Sequence, residues 1–255
     1  MQLRMILKIE IKKPVLAALL ACLVAGPALA DRRTLVRAYE FETQPKGNLE
    51  LEIWNDVDVP KSAFKDALVT QRIELEYGLT DRWDLALYHV FQQGGPADSE
   101  DRGFHFDSWR LETRYRLAEK GEWPVDVMVY LELERPANFD EPFELEEKII
   151  LQKDFGPLAI VANLVAEQKL SSSTTGHVWE VDLGARYEVM PAVRVGAEVW
   201  GIQEIAPGGA RDLAFYAGPS VSFATKKLWI QLGAGVGLND AAGSAQIRSV
   251  IGFNL

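Results

Sequence analysis

From residue 48 onward, charged and apolar side chains alternate with a period of two. "NLELEIWND" puts Leu49, Leu51 and Ile53 on one phase and Glu50 and Glu52 on the other. "TQRIELEYG" sets Ile73, Leu75 and Tyr77 against Arg72, Glu74 and Glu76. The same pattern runs through "WRLETRYRL", "VDVMVYLELE" and "WEVDLGARYE". Successive side chains of a strand point to opposite faces, so this pattern describes strands with one apolar and one charged face. A helix fails the test, because charges two residues apart would spread around its cylinder.

Twelve such segments are readable: 48–58, 67–77, 83–92, 106–117, 123–134, 143–153, 158–168, 177–188, 193–204, 212–223, 227–237 and 245–255. Short connections at 78–82, 118–122, 154–157, 189–192 and 224–226 alternate with longer ones at 60–66, 93–105, 136–142, 169–176, 206–211 and 239–244. The longer ones hold most of the Gly, Pro, Ser and Asp. Tight turns at one end and long loops at the other are the arrangement of an outer-membrane barrel, whose strand number is even as a rule. Parity therefore excludes "TLVRAYEFETQ" (34–44) from the barrel, although it alternates too. It reads as a periplasmic lead-in that can fold into the lumen, with a short extra hairpin at the rim as the alternative.

Aromatics gather near both sets of strand ends. Tyr77, Trp83, Tyr115, Trp123, Phe155, Tyr187 and Phe253 lie near the tight turns. Phe91, Trp109, Phe143, Trp179 and Phe215 lie near the long loops. Two interfacial belts account for both levels. The expected fold is all-β: a closed antiparallel transmembrane β-barrel of about 12 strands with a periplasmic N-terminal lead-in.

Residues 1–30 stand apart. Arg4, Lys8, Lys12 and Lys13 precede a short apolar stretch that ends at Pro27 and Ala28-Leu29-Ala30, the form of a secretory signal cleaved after Ala30. The expected division is signal peptide 1–30, lead-in 31–47 and barrel 48–255. Cys22, the single cysteine, lies in the signal, where "LLAC" is a poor lipoprotein box. The remainder then has no thiol chemistry. The chain carries a net charge of −10, and the leader has four basic residues and one acidic, so the rest carries about −13. That balance argues against a nucleic-acid partner. No segment beyond the leader approaches the roughly 20 apolar residues of a membrane helix.

Three stretches carry a family resemblance. "LEYGLTDRWDLALY" resembles the Gly-Leu-Thr-Asp turn of a large group of outer-membrane barrels often labelled with the phenol-degradation (MetA) pathway and treated as transporters. "QPKGNLELE" resembles that group's lead-in and first strand, and "RSVIGFNL" its closing strand. The resemblance implies a small outer-membrane barrel with an uptake role, with outer-membrane lipid and the barrel-assembly machinery as partners. It brings no catalytic residues and no cofactor. One departure is Leu255, where such barrels commonly end in an aromatic residue.

With the apolar phase against lipid, the charged phase lines the lumen. The expected pore-lining residues are Arg72, Glu74, Glu76, Asp84, Arg110, Glu112, Arg114, Glu132, Glu134, Glu144, Glu146, Glu180, Asp182, Arg186 and Glu198. Glu50, Glu52, Arg116, Asp126, Lys148, Glu188, Arg194 and Arg248 share their phase. Pairing about the 118–122 turn sets Arg110 opposite Glu132 and Arg116 opposite Asp126. Glu76 and Asp84 face each other across the 78–82 turn, with Arg82, Arg72 or a passing cation as the counter-charge. Glu132, Glu134, Glu144, Glu146, Glu180 and Asp182 would form an acidic mouth at the long-loop end.

Two functions compete. One is a passive channel or uptake porin for small solutes. The other is a closed, charge-filled barrel with a structural, adhesive or lipid-handling role. A soluble periplasmic β-sandwich and an outer-membrane lipid hydrolase are further alternatives. For the hydrolase, the candidates are His89, His105 and His177 with Ser108 and Ser171–Ser173. Calcium at the acidic mouth has no loop motif behind it. GxSxG, HExxH, phosphate-loop and CxxC motifs are absent.

Overall fold

The computed structural model describes residues 33–96, 102–171 and 176–255. The expected signal peptide and Cys22 lie outside the described residues, as do Ser172 and Ser173. Twelve antiparallel strands close into a barrel: β1 (Leu49–Val59), β2 (Leu68–Thr80), β3 (Trp83–Gly94), β4 (His105–Arg116), β5 (Asp126–Pro136), β6 (Glu144–Phe155), β7 (Leu158–Lys169), β8 (His177–Met190), β9 (Val193–Ala206), β10 (Ala214–Ala224), β11 (Leu228–Gly237) and β12 (Ala245–Asn254). Each strand pairs with its sequence neighbours, and β1 pairs with β12 to close the ring. Closure removes the free edges that lipid could not satisfy. A two-residue strand, Gly209–Ala210, folds back on the end of β9. Among the described residues no helix is long and apolar enough to cross a membrane.

The period-two alternation is resolved as expected. Leu51, Ile53, Leu75, Leu87, Leu111, Leu131, Ile149, Leu164 and Leu183 point outward, and the exposed members are 38–53 % accessible. Apolar groups this open to the outside fit hydrocarbon rather than water. Tyr77, Trp83, Tyr115, Trp123, Phe155, Tyr187 and Phe253 are exposed at the tight-turn end, and Trp109, Phe143, Trp179 and Phe215 at the other.

The turns sort by length with one exception. Strands β2–β3, β6–β7 and β8–β9 are joined by two residues and β10–β11 by three, but β4 and β5 are separated by residues 117–125. Pro124 has no N–H to offer the ladder, so β5 starts at Asp126 instead of 123. Gly121 turns the chain at φ 79°, and its N–H is held by Asp126 Oδ1 at 2.6 Å. The register moves with it: Arg110 lies opposite Glu134 and Arg116 opposite Met128. The expected Arg110–Glu132 and Arg116–Asp126 pairings are thus each offset by two residues, although Arg110 still reaches Glu132 diagonally at 3.0 Å.

Residues 33–44 form no hairpin at the rim. They run inside the barrel, and Thr34, Leu35, Val36, Phe41 and Gln44 are each no more than 3 % exposed. The segment enters beside the β2–β3 turn. The N–H of Gly47 donates to Gly78 O at 2.8 Å, and that of Gly78 donates to Asn48 O at 3.0 Å. A Cβ on Gly78 would sit 2.1 Å from Pro45 O, so only glycine lets the lead-in cross here.

Candidate functional site

The inward face is the candidate site, and the segment 33–44 occupies its centre. In an extended segment with no strand partner, every N–H needs an acceptor from elsewhere. Within the segment, the Thr34 N–H donates to Glu40 Oε2 at 2.7 Å and the Glu42 N–H to Glu40 O at 2.9 Å. The barrel wall supplies the following. Glu198 on β9 accepts from the N–H groups of Val36, Arg37 and Ala38, the last two at 2.8 and 3.1 Å. Asn163 on β7 accepts from Tyr39 N at 2.6 Å and donates back to Tyr39 O at 3.1 Å. Gln152 on β6 accepts from Phe41 N at 2.8 Å, and Asp84 on β3 accepts from Gln44 N at 2.9 Å. Arg248 on β12 donates to Val36 O. These anchors come from both sides of the ring, so the segment crosses the bore.

Charges fix it further. Arg37 forms a two-pronged pair with Glu180, whose Oε1 lies 2.8 Å from Arg37 Nε. Arg186 reaches Glu40 at 2.5 Å and Arg194 reaches Glu42 at 3.4 Å. Burial and the adjacent Glu42 push the Glu40 carboxyl up from its usual range, while Arg186 and Arg194 pull it down. Apolar inward residues complete the seat: Phe41 and Tyr39 pack with Met128, Tyr130 and Ile150, and Leu35 and Ala38 pack with Val161.

All fifteen expected pore-lining residues point inward, but they are partnered differently from the expectation. Arg114 is the centre of one network, paired with Glu76, with Asp84 at 2.8 Å and with Glu112 at 3.2 Å. It is the counter-charge for the two acids of the β2–β3 turn. Arg82 instead pairs with Glu119 at 3.5 Å, and Arg72 pairs with Asp56. A bulge between Gly78 and Thr80 sets Asp84 opposite Gly78, so Glu76 and Asp84 meet diagonally through Arg114. Arg110 bridges Glu132 and Glu134, Glu146 pairs with Lys148 at 2.7 Å, and Glu144 with Lys169 at 2.7 Å. Glu74 accepts from Trp54 Nε1 at 2.8 Å.

Above the segment lies a cavity of about 220 Å³, lined by Asp56, Asp58, Arg72, Arg110, Lys148, Glu167, Glu180 and Asp182 among others. A wider recess of about 460 Å³ opens among the long loops, with Glu134, Glu141, Glu144 and Glu167 on its wall.

The anchors Gln152 and Asn163 were not expected. For Asn163 the signal in the sequence is a lone amide on the inward phase of an otherwise apolar stretch; Gln152 sits among charged inward residues and carries no such mark. The histidines and Ser108 do not meet: His89 is on the outer face beside Phe106, whereas Ser108 is fully buried on the inner face, 3.2 Å from Asp107. His105 and His177 begin β4 and β8. Among the described residues no three His, Cys, Asp or Glu are placed to hold a metal ion.

The model of a family of unknown function (DUF6662) matches residues 27–246. The chain belongs to DUF6662. This DUF6662 barrel is similar in fold to a COG4313 outer membrane channel from Pseudomonas putida F1, with TM-score 0.61 and 17% identity over 87% of this chain and 100% of that one. The NanC porin matches with TM-score 0.58 and 10% identity over 80% of this chain and 100% of that one. The KdgM porin matches with TM-score 0.54 and 9% identity over 81% and 99%. No curated protein matches the chain.

Proposed function

We propose that this DUF6662 chain is an outer-membrane channel that passes small solutes, with its own N-terminal segment seated in the bore. The supporting observation is the two-sided wall: an apolar outer band, and an inner face of charges around a cavity of about 220 Å³. The mouth is acidic. Glu132, Glu134, Glu144, Glu146, Glu167, Glu180 and Asp182 outnumber Arg37, Arg110, Lys148 and Lys169 at that end, and a cleft with an excess of one sign of charge concentrates counter-ions. Cations are therefore the favoured permeants. The resemblance to the phenol-degradation group adds uptake as the direction of transport, and outer-membrane lipid and the assembly machinery are the partners such a barrel requires.

The crossing of the bore by 33–44 favours a second reading, a closed barrel with a structural or lipid-handling role. Conductance in a planar bilayer separates the two. The channel reading expects cation-preferring openings that grow when residues 33–44 are deleted. No openings in either protein over a range of voltages would leave the closed barrel. Growth of a deletion strain on a panel of carbon sources then tests uptake.

A further inference from the structure

Two hollows of the lumen meet at one place. The recess of about 460 Å³ among the long loops and the chamber of about 220 Å³ above the N-terminal segment have three lining residues in common: Gln92 on β3, Arg110 on β4 and Glu167 on β7. A crevice of about 10 Å³, lined by Arg110 and Glu167 again, lies at the same level. That is room for roughly one water. The other charges around this junction are taken up in pairs. Arg110 holds Glu132 at 3.0 Å and Glu134 at 2.9 Å, while Lys148 holds Glu146 and Lys169 holds Glu144, each at 2.7 Å. Glu167 differs. Among the described residues its carboxylate has no ion pair, and its neighbours across the ladder are Glu146 and Val178. In the wide recess, water and salt screen a fixed charge over about 8 Å at physiological ionic strength. A junction with room for one water holds little that could screen it, so a passing ion meets the field of Glu167 nearly undiminished.

We propose that Gln92, Arg110 and Glu167 form the narrow point of the solute path, with Glu167 as the specificity-determining residue that admits small cations and holds back anions. Glu167 draws a cation to the junction. The long Arg110 and Glu167 side chains have open space above and below, and they turn aside to let it through. The acidic mouth concentrates cations, and one carboxylate without a counter-charge decides which ions reach the chamber. The inference rests on the channel reading and deepens it, but its first test does not depend on conductance.

The test uses the full chain refolded in detergent. Val165→Cys places a thiol in the chamber wall, two residues below Glu167 on the same strand face, and Cys22→Ser removes the other thiol. Ethylammonium and ethylsulfonate methanethiosulfonates are the probes, of similar size and opposite charge. Each rate is normalised to that of a free thiol in solution. The cation is expected to react about ten-fold faster than the anion, or more. Adding Glu167→Gln should bring the two rates together, and Glu167→Asp should keep them apart. Glu147→Gln removes the same charge from the outer face of β6 and should change nothing. Compact migration on unheated gels reports folding, and Thr70→Cys on the β2 side of the chamber replaces Val165→Cys if the latter does not refold. A preference that survives Glu167→Gln, or that Glu147→Gln abolishes equally, overturns the assignment. So does a folded protein whose chamber thiol neither probe reaches. In planar bilayers, openings whose reversal potential ignores Glu167→Gln would sink the assignment and spare the channel; labelling that depends on Glu167 without any openings would do the reverse.

Discussion

Arg114 shows what a buried charge does in this lumen. It is 2 % exposed, and three carboxylates share it. Taking away one partner of a buried ionic network costs about 3–5 kcal/mol, because the other charges stay buried without compensation. Arg114→Met should therefore lower resistance to urea unfolding in detergent by about that much, and a change below about 1 kcal/mol would show that the network contributes little. Glu198 poses a different problem. One carboxylate accepts three consecutive N–H groups of the inner segment, and bonds to a charged acceptor contribute roughly 1.5–3 kcal/mol each. Glu198→Ala should leave the barrel folded but loosen residues 33–44, read as faster proteolysis within that segment on intact protein. The charge and inward phase of both residues were legible in the sequence. Their partners were not, because alternation states which way a side chain points and not what it meets.

The β2–β3 turn is where element-scale geometry decides most. Its bulge offsets Asp84 from Glu76, and its Gly78 opens a gap through which residues 44–45 pass. Asp81 ties the crossing from the turn side, accepting from Lys46 N and, through its carbonyl, from Thr43 Oγ1, both at 3.0 Å. Gly78→Val would drive a side chain into Pro45 O, and the expected result is displacement of the lead-in with the hairpin retained. Faster cleavage in 33–44 than in wild type checks this. Two luminal glycines prepare the far seat in the same way. A Cβ on Gly184 would fall 2.6 Å from a Leu35 methyl and one on Gly196 2.7 Å from the other. Gly184→Leu with Gly196→Leu should thus expel Leu35 and enlarge single-channel conductance; unchanged conductance would mean that Leu35 can be accommodated elsewhere. The sequence marks these elements as strands and turns, but the observed β2–β3 pairing and the proline-delayed start of β5 each lie two residues from the expected register without altering the apolar pattern.

For the whole molecule, the outer band sets the environment. Leu75 lies in mid-strand on the outer face and is 45 % exposed. An arginine at the bilayer midplane costs about 2–4 kcal/mol, so Leu75→Arg should reduce folding yield into vesicles, whereas the inward position beside it already carries Glu74. Equal yields would argue that this face does not meet hydrocarbon.

Period-two alternation determined the architecture from sequence alone: twelve strands, their two faces, the belts and the sorting of loops. The physical reason is local, since side-chain direction alternates along any strand and lipid tolerates only one of the two phases. The tertiary structure decided what fills the interior. Whether 34–44 lay at the rim or in the lumen depended on acceptors from β3, β6, β7 and β9, residues 40 to 162 positions away in the chain. Such contacts exist only once the barrel has closed, and no periodicity records them.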